Sequence, residues 1–127
     1  MQNSKLDLLE KRVNEIATIF NPQKNTIPAF GQYPNEDARP YVLLEDDTYH
    51  YAVAERGREK SKKTTKDENV LLYWIFYDLT TNHCLLTVPD DGASPTEKTL
   101  RMKQRRYELM TQIDKSWGPK VKERSNM

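Results

Sequence analysis

A chain of 127 residues has room for one modest hydrophobic core and too little for two. Its net charge of +1 gives nucleic acid or a membrane surface no strong global attraction, and its 36% hydrophobic residues gather in periodic blocks, which argues against wholesale disorder. Cys84 is the single cysteine, so an intrachain disulfide and a thiolate metal cluster are both excluded.

The first element is a helix. In SKLDLLEKRVNEIATIF, Leu6, Leu9, Val13, Ile16 and Phe20 recur at steps of three and four, with Lys11, Arg12 and Glu15 on the other side. Ser4 is placed to cap its start, and Asn21-Pro22 ends it because proline disfavours helical geometry in the residue before it. From Pro22 to Pro40, four prolines (Pro22, Pro28, Pro34 and Pro40) and Gly31 leave extended, wrapping chain with at most a short edge strand.

RPYVLLEDDTYHYAVAER then reads as a β-hairpin, two β-rich runs around an acidic turn at Asp46-Asp47-Thr48. Alternation puts Tyr49, Tyr51, Val53 and Glu55 on one face of the second run and His50, Ala52, Ala54 and Arg56 on the other. Gly57 supplies the positive φ that lets the chain leave the strand.

Thr65-Lys-Asp-Glu68 has capping-box form and favours a helix over NVLLYWIFYDLTTNHCLL, with Leu71, Leu72, Ile75, Phe76 and Leu79 on its core side. The density of aromatic and β-branched residues over 70–79 also fits a buried strand, and the capping box and the length of the run weigh for helix. Pro89, Gly92 and Pro95 break the chain again. Thr96 caps a last amphipathic helix with Met102, Leu109, Met110, Ile113 and Trp117 inward, which Gly118-Pro119 terminates. The expected architecture is α+β in one domain, 1–127: an N-terminal helix, a small antiparallel sheet built on the hairpin, and two C-terminal helices packed on it, with frayed ends at about 1–3 and 119–127.

Charge is unevenly spread along this chain. Glu36, Asp37, Glu45, Asp46 and Asp47 make the hairpin region acidic, Arg58, Lys60, Lys62, Lys63 and Lys66 follow at once, and Arg101, Lys103, Arg105 and Arg106 make the last helix basic. The commonest use of such runs is a solvated face. No run of about twenty apolar residues and no basic-then-apolar leader is present, so the expected compartment is the cytoplasm, with no membrane partner.

No reactive constellation emerges. The four glycines form no phosphate-cradling loop, and neighbours His83 and Cys84 point about 100° apart on a helix, too far to share a proton. Glu55 ends a strand beside a glycine, where function often resides, but Tyr49 and Glu55 are roughly 20 Å apart along one strand and make no compact catalytic pair. They suit an extended contact surface instead. We therefore expect no catalytic residues, no cofactor and no metal.

Tyr49-x5-Glu55-Arg56-Gly57, then Thr65, Leu72-Tyr73-Trp74 opening a helix, and Arg105-Arg106 in a final amphipathic helix resemble the bacterial immunity proteins of the immunity protein 63 family. The resemblance spans roughly Tyr41 to Trp117. It implies a small α+β cytoplasmic protein, encoded beside a polymorphic toxin, that binds and neutralises that toxin without catalysis. It assigns no catalytic residues; Glu55, Arg56 and Gly57 are motif positions only. Contact candidates are Tyr49, Tyr51 and Arg56 together with the Glu45, Asp46 and Asp47 turn. Two other readings are a nucleic-acid or regulatory module using the basic Arg101 to Arg106 face, and an enzyme with Glu55 as base near His50.

Overall fold

Helix α1, Gln2–Ala17, forms where the sequence periodicity places it and buries Leu6, Leu9, Val13 and Ala17. Its exit is set by Asn21, which adopts a positive φ of 49° and donates its N–H to the Ala17 carbonyl at 2.8 Å. Asparagine tolerates that left-handed geometry, so it satisfies one of the helix's terminal carbonyls just before Pro22. The computed structural model describes residues 2–32, 39–55, 58–89 and 91–125. Contacts among them gather in two compact groups, residues 1–75 and residues 76–127.

The first group holds α1, the sheet and the opening turns of the next helix. Four strands run in the order β1 (Ala29–Phe30), β2 (Pro40–Glu45), β3 (Thr48–Glu55) and β4 (Arg58–Thr65). β2 and β3 are the expected hairpin. β1 joins β2 in parallel, so the sheet is mixed where a purely antiparallel one was expected. β4 pairs antiparallel with β3 and is a strand that hydrophobic alternation did not announce, since its sequence is REKSKKTT. Lysine-rich sequence of this kind suits an edge strand, where charge discourages pairing with other chains.

Register sorts the side chains by face. Val42 lies opposite Tyr51 and Leu44 opposite Tyr49, and all four are buried. On the other face Tyr41 lies opposite Ala52, and these two form a small buried cluster with Ala29, against which Leu43 packs. α1 lies along β1 and β2. Both sheet faces are thus at least partly covered, which explains why β2 reads as a nearly continuous apolar run.

Helix α2, Glu68–Thr87, is apolar on most sides and carries fully buried Leu71, Leu72, Ile75, Phe76 and Leu79. The helical reading of that run holds, but its cap does not fall on Thr65. Asp67 Oδ1 accepts the N–H of Asn69 at 2.8 Å, while the Thr65 hydroxyl accepts the Asp67 N–H at 3.1 Å. β4 occupies Thr65, so a residue two positions later takes over the capping.

In the second group, α3 (Pro95–Ile113) is capped by Ser94, whose Oγ accepts the Glu97 N–H at 3.2 Å, with Pro95 in the first turn. Thr96, expected as the cap, already lies inside the helix. A further helix, α4 (Trp117–Ser125), follows where the sequence suggested a frayed tail, and Val121 within it is fully buried. Gly118-Pro119 opens this helix instead of closing the previous one, because proline's fixed φ and missing N–H suit a first turn.

α3 and α4 pack closely at Gly118. A Cβ there would sit 2.8 Å from Thr111 Oγ1 and 3.3 Å from Tyr107 Cε2. Gly118→Ala is therefore expected to destabilise by about 1–2 kcal/mol, overpacking outweighing alanine's better helix propensity. In a Thr111→Ala background the same change should become neutral or stabilising, as read from the urea midpoint; an equal loss in both backgrounds would refute the close approach.

Candidate functional site

The β2–β3 turn is the most distinctive surface feature. β2 ends at Glu45 and β3 begins at Thr48, leaving a two-residue loop whose aspartates both have positive φ, 50° at Asp46 and 61° at Asp47. That is a type I′ geometry, whose twist matches the flanking strands and which favours Asn-Gly. Two aspartates fill it here at some cost in backbone strain. Glu45, Asp46 and Asp47 are all exposed, so three carboxylates are presented at one tip.

Behind this tip the chemistry is buried. Tyr49 is 0% exposed, and its hydroxyl has no hydrogen-bond partner among the described residues. Burial raises its pKa above the usual phenol value, with the Glu68 and Asp47 carboxylates adding to the effect. Lys5 Nζ stands 5.6 Å from the ring centroid, and Glu68 is held by Arg12 at 2.9 Å. Asp47 and Glu68 thus belong to one acidic end of the sheet.

The other expected contact residues fare differently. Tyr51 is buried opposite Val42, so Tyr49 and Tyr51 are core side chains and offer no surface for an aromatic anchor. Glu55 is placed by its backbone alone, as the last residue of β3 opposite Arg58, close to a register shift at Val53 and Ala54. Arg56 and Gly57 lie outside the described residues. His50 sits opposite Leu43 and Thr64, five residues from Glu55 and roughly 16 Å along the strand, so the two do not come together.

Residues 76–127 redistribute the basic charge that the sequence displays. Arg101 is engaged by both carboxylate oxygens of Asp91, at 2.9 and 3.1 Å, which lowers the Asp91 pKa, and Arg105 faces Glu108 at 3.5 Å. Arg106 is buried, donates to Thr81 Oγ1 at 3.0 Å and stacks over Tyr77 at 4.6 Å, while Arg124 covers the same ring at 3.9 Å. Its inward placement was readable: Met102, Arg106, Leu109 and Met110 lie on one helical stripe. His83 and Cys84 remain adjacent on α2; burial, then Arg105, lowers the histidine pKa, and burial raises that of the thiol. Neither shift favours a thiolate–imidazolium pair.

The fold and this surface define a small α+β chain with an acidic hairpin tip and no helix long and apolar enough to cross a membrane among the described residues. Residues 45–127 match the family model described as Immunity protein 63, and the chain belongs to that family. The matched region begins at the acidic turn and includes β3, β4 and every later helix. Searches of curated proteins and of solved structures found no match.

Proposed function

We propose that this protein is a cytoplasmic, single-domain, non-enzymatic inhibitor that binds a cognate bacterial polymorphic toxin domain and neutralises it. Membership of the immunity protein 63 family over residues 45–127 carries this reading. The exposed Glu45-Asp46-Asp47 tip is the contact we favour. It retains carboxylates in a turn where Asn-Gly is less strained, and a concentrated negative patch accelerates encounter with a basic partner surface. Tyr49 and Tyr51 support that tip from the core, without touching the toxin.

Growth rescue tests the inhibitor role: the toxin domain encoded beside this gene is expressed in a sensitive host with this protein supplied in trans. Stoichiometric rescue with a co-purifying complex is expected; killing that persists beside folded protein and no complex at micromolar concentration would refute it. The double variant Asp46→Asn, Asp47→Gly tests the tip. It should raise stability by about 1 kcal/mol by relaxing two positive-φ aspartates, yet slow association about tenfold at low salt by removing charge. An unchanged, salt-insensitive association rate would move the contact elsewhere.

The nucleic-acid reading loses support from the ion pairing of Arg101 and Arg105 and the burial of Arg106, since counterion release needs cations directed at phosphates.

A further inference from the structure

We propose that the outer edge of β4 receives an extended, acidic segment of the toxin, which adds to the sheet as a further strand; this rests on the inhibitor reading above. β4 is the last strand of the sheet, bonded to β3 on one side, and no strand pairs with its other side among the described residues. It runs for eight residues, Arg58–Thr65, with an irregularity where the register passes from Ser61 to Glu59. Over Ser61–Thr65, about 16 Å of backbone, the pairing is regular and alternate N–H and C=O groups point away from β3. Lys62, Lys63 and Thr64 are exposed along it. An edge of that length is a template for strand addition.

Charge selects the occupant. In an antiparallel pairing of two β4 strands centred on the exposed Lys62 and Lys63, Lys62 of each copy would face Lys63 of the other. Like charges directly opposite one another oppose such pairing, so the edge disfavours a second copy of this chain. A strand carrying Asp or Glu at those positions meets the same lysines favourably. Nucleic acid supplies the negative charge but no ladder of amides and carbonyls, and a protein strand supplies both.

β4 also lies beside the acidic tip. Its last residue, Thr65, is opposite Tyr49, two positions past Asp47. A partner lying along β4 therefore reaches the Asp46-Asp47 turn at one end, and one continuous surface presents a negative tip and a positive edge. Such a surface fixes the partner's direction as well as its sign.

Amide hydrogen exchange on the full chain, alone and with the toxin domain encoded beside it, tests the proposal. The outward-facing alternate amides of β4 should gain protection in the complex. Lys62→Glu should weaken binding about three- to tenfold, whereas Lys62→Arg should bind as the parent does; Lys63, whose Nζ lies 5.5 Å from the Trp74 ring centroid, is left intact. A complex that forms with β4 exchange unchanged overturns strand addition and leaves the inhibitor reading standing. Self-association of the chain alone with protected β4 amides overturns it in favour of a second copy. Lys62→Glu binding as tightly as the parent overturns the acidic occupant, and the absence of any complex, together with failed rescue, overturns both readings.

Discussion

Replacing Trp117 with alanine should cost about 3–5 kcal/mol of stability, the loss typical of a large aromatic removed from a packed interior. Trp117 is 4% exposed and stacks on Phe76, with ring centroids 6.3 Å apart and planes inclined by 27°. It is also the first residue of α4, so the ring ties that helix to α2 near its start. Val121, fully buried, and Arg124, over the Tyr77 ring, continue the attachment. A helix of nine residues has little stability of its own in water, so it depends on these contacts. Trp117→Phe should keep most of the stacking and cost about 1–2 kcal/mol. Trp74 provides the contrast, being only half-buried, and Trp74→Ala should cost clearly less than Trp117→Ala. Urea unfolding distinguishes these outcomes, and a loss below about 1 kcal/mol for Trp117→Ala would refute the packing described.

The second large effect concerns Tyr49, where the ring and the hydroxyl are expected to act in opposite directions. Tyr49→Ala should cost about 3–5 kcal/mol, because it empties a fully enclosed site. Tyr49→Phe should fall within about 1 kcal/mol of the parent or exceed it, because it removes a buried hydroxyl with no protein partner among the described residues. The two variants also differ with pH. The folded phenol has its pKa raised by burial, then by Glu68 and Asp47, so the ionised form is disfavoured in the fold. Below pH about 10 both folded and unfolded chains hold the proton, and the stability contribution is fully present. As pH rises past 10 toward the folded value, the unfolded chain loses its proton first and that contribution disappears. Tyr49→Phe should lack this alkaline loss. Equal alkaline slopes for parent and variant would place the proton chemistry elsewhere, and a large loss on Tyr49→Phe would mean that the hydroxyl is satisfied.

The regions legible in the sequence were those where burial imposes a period. Leu6, Leu9 and Val13 announced α1, Leu71 to Leu79 announced α2, and Met102 to Met110 announced α3. Two adjacent aspartates between β-rich runs located the hairpin turn. β4 was missed because an edge strand is held by backbone bonds and has few apolar side chains to display. α4 is hidden because glycine followed by proline signals a stop, although the same pair is acceptable in a first helical turn. The caps at Asp67 and Ser94 were misplaced by two residues each, since several neighbouring residues have oxygens able to serve and the strand boundary decides among them. At the candidate site the acidic tip was legible from composition. The burial of Tyr49 and Tyr51 was not, because a β-rich run alternates in the same way whether one face or both are covered.

The strand order carries a consequence for how the protein reaches its structure. Every strand lies beside its neighbour in sequence, so the sheet can assemble by zipping outward from the Asp46-Asp47 turn with short loop closures and little search. The loop that presents the negative tip is then also a natural nucleus, and two left-handed aspartates make that nucleus slower to close than Asn-Gly would. Under the inhibitor reading proposed above, partner encounter and rapid folding therefore make opposite demands on the same two residues. The Asp46→Asn, Asp47→Gly variant should accordingly fold faster than the parent.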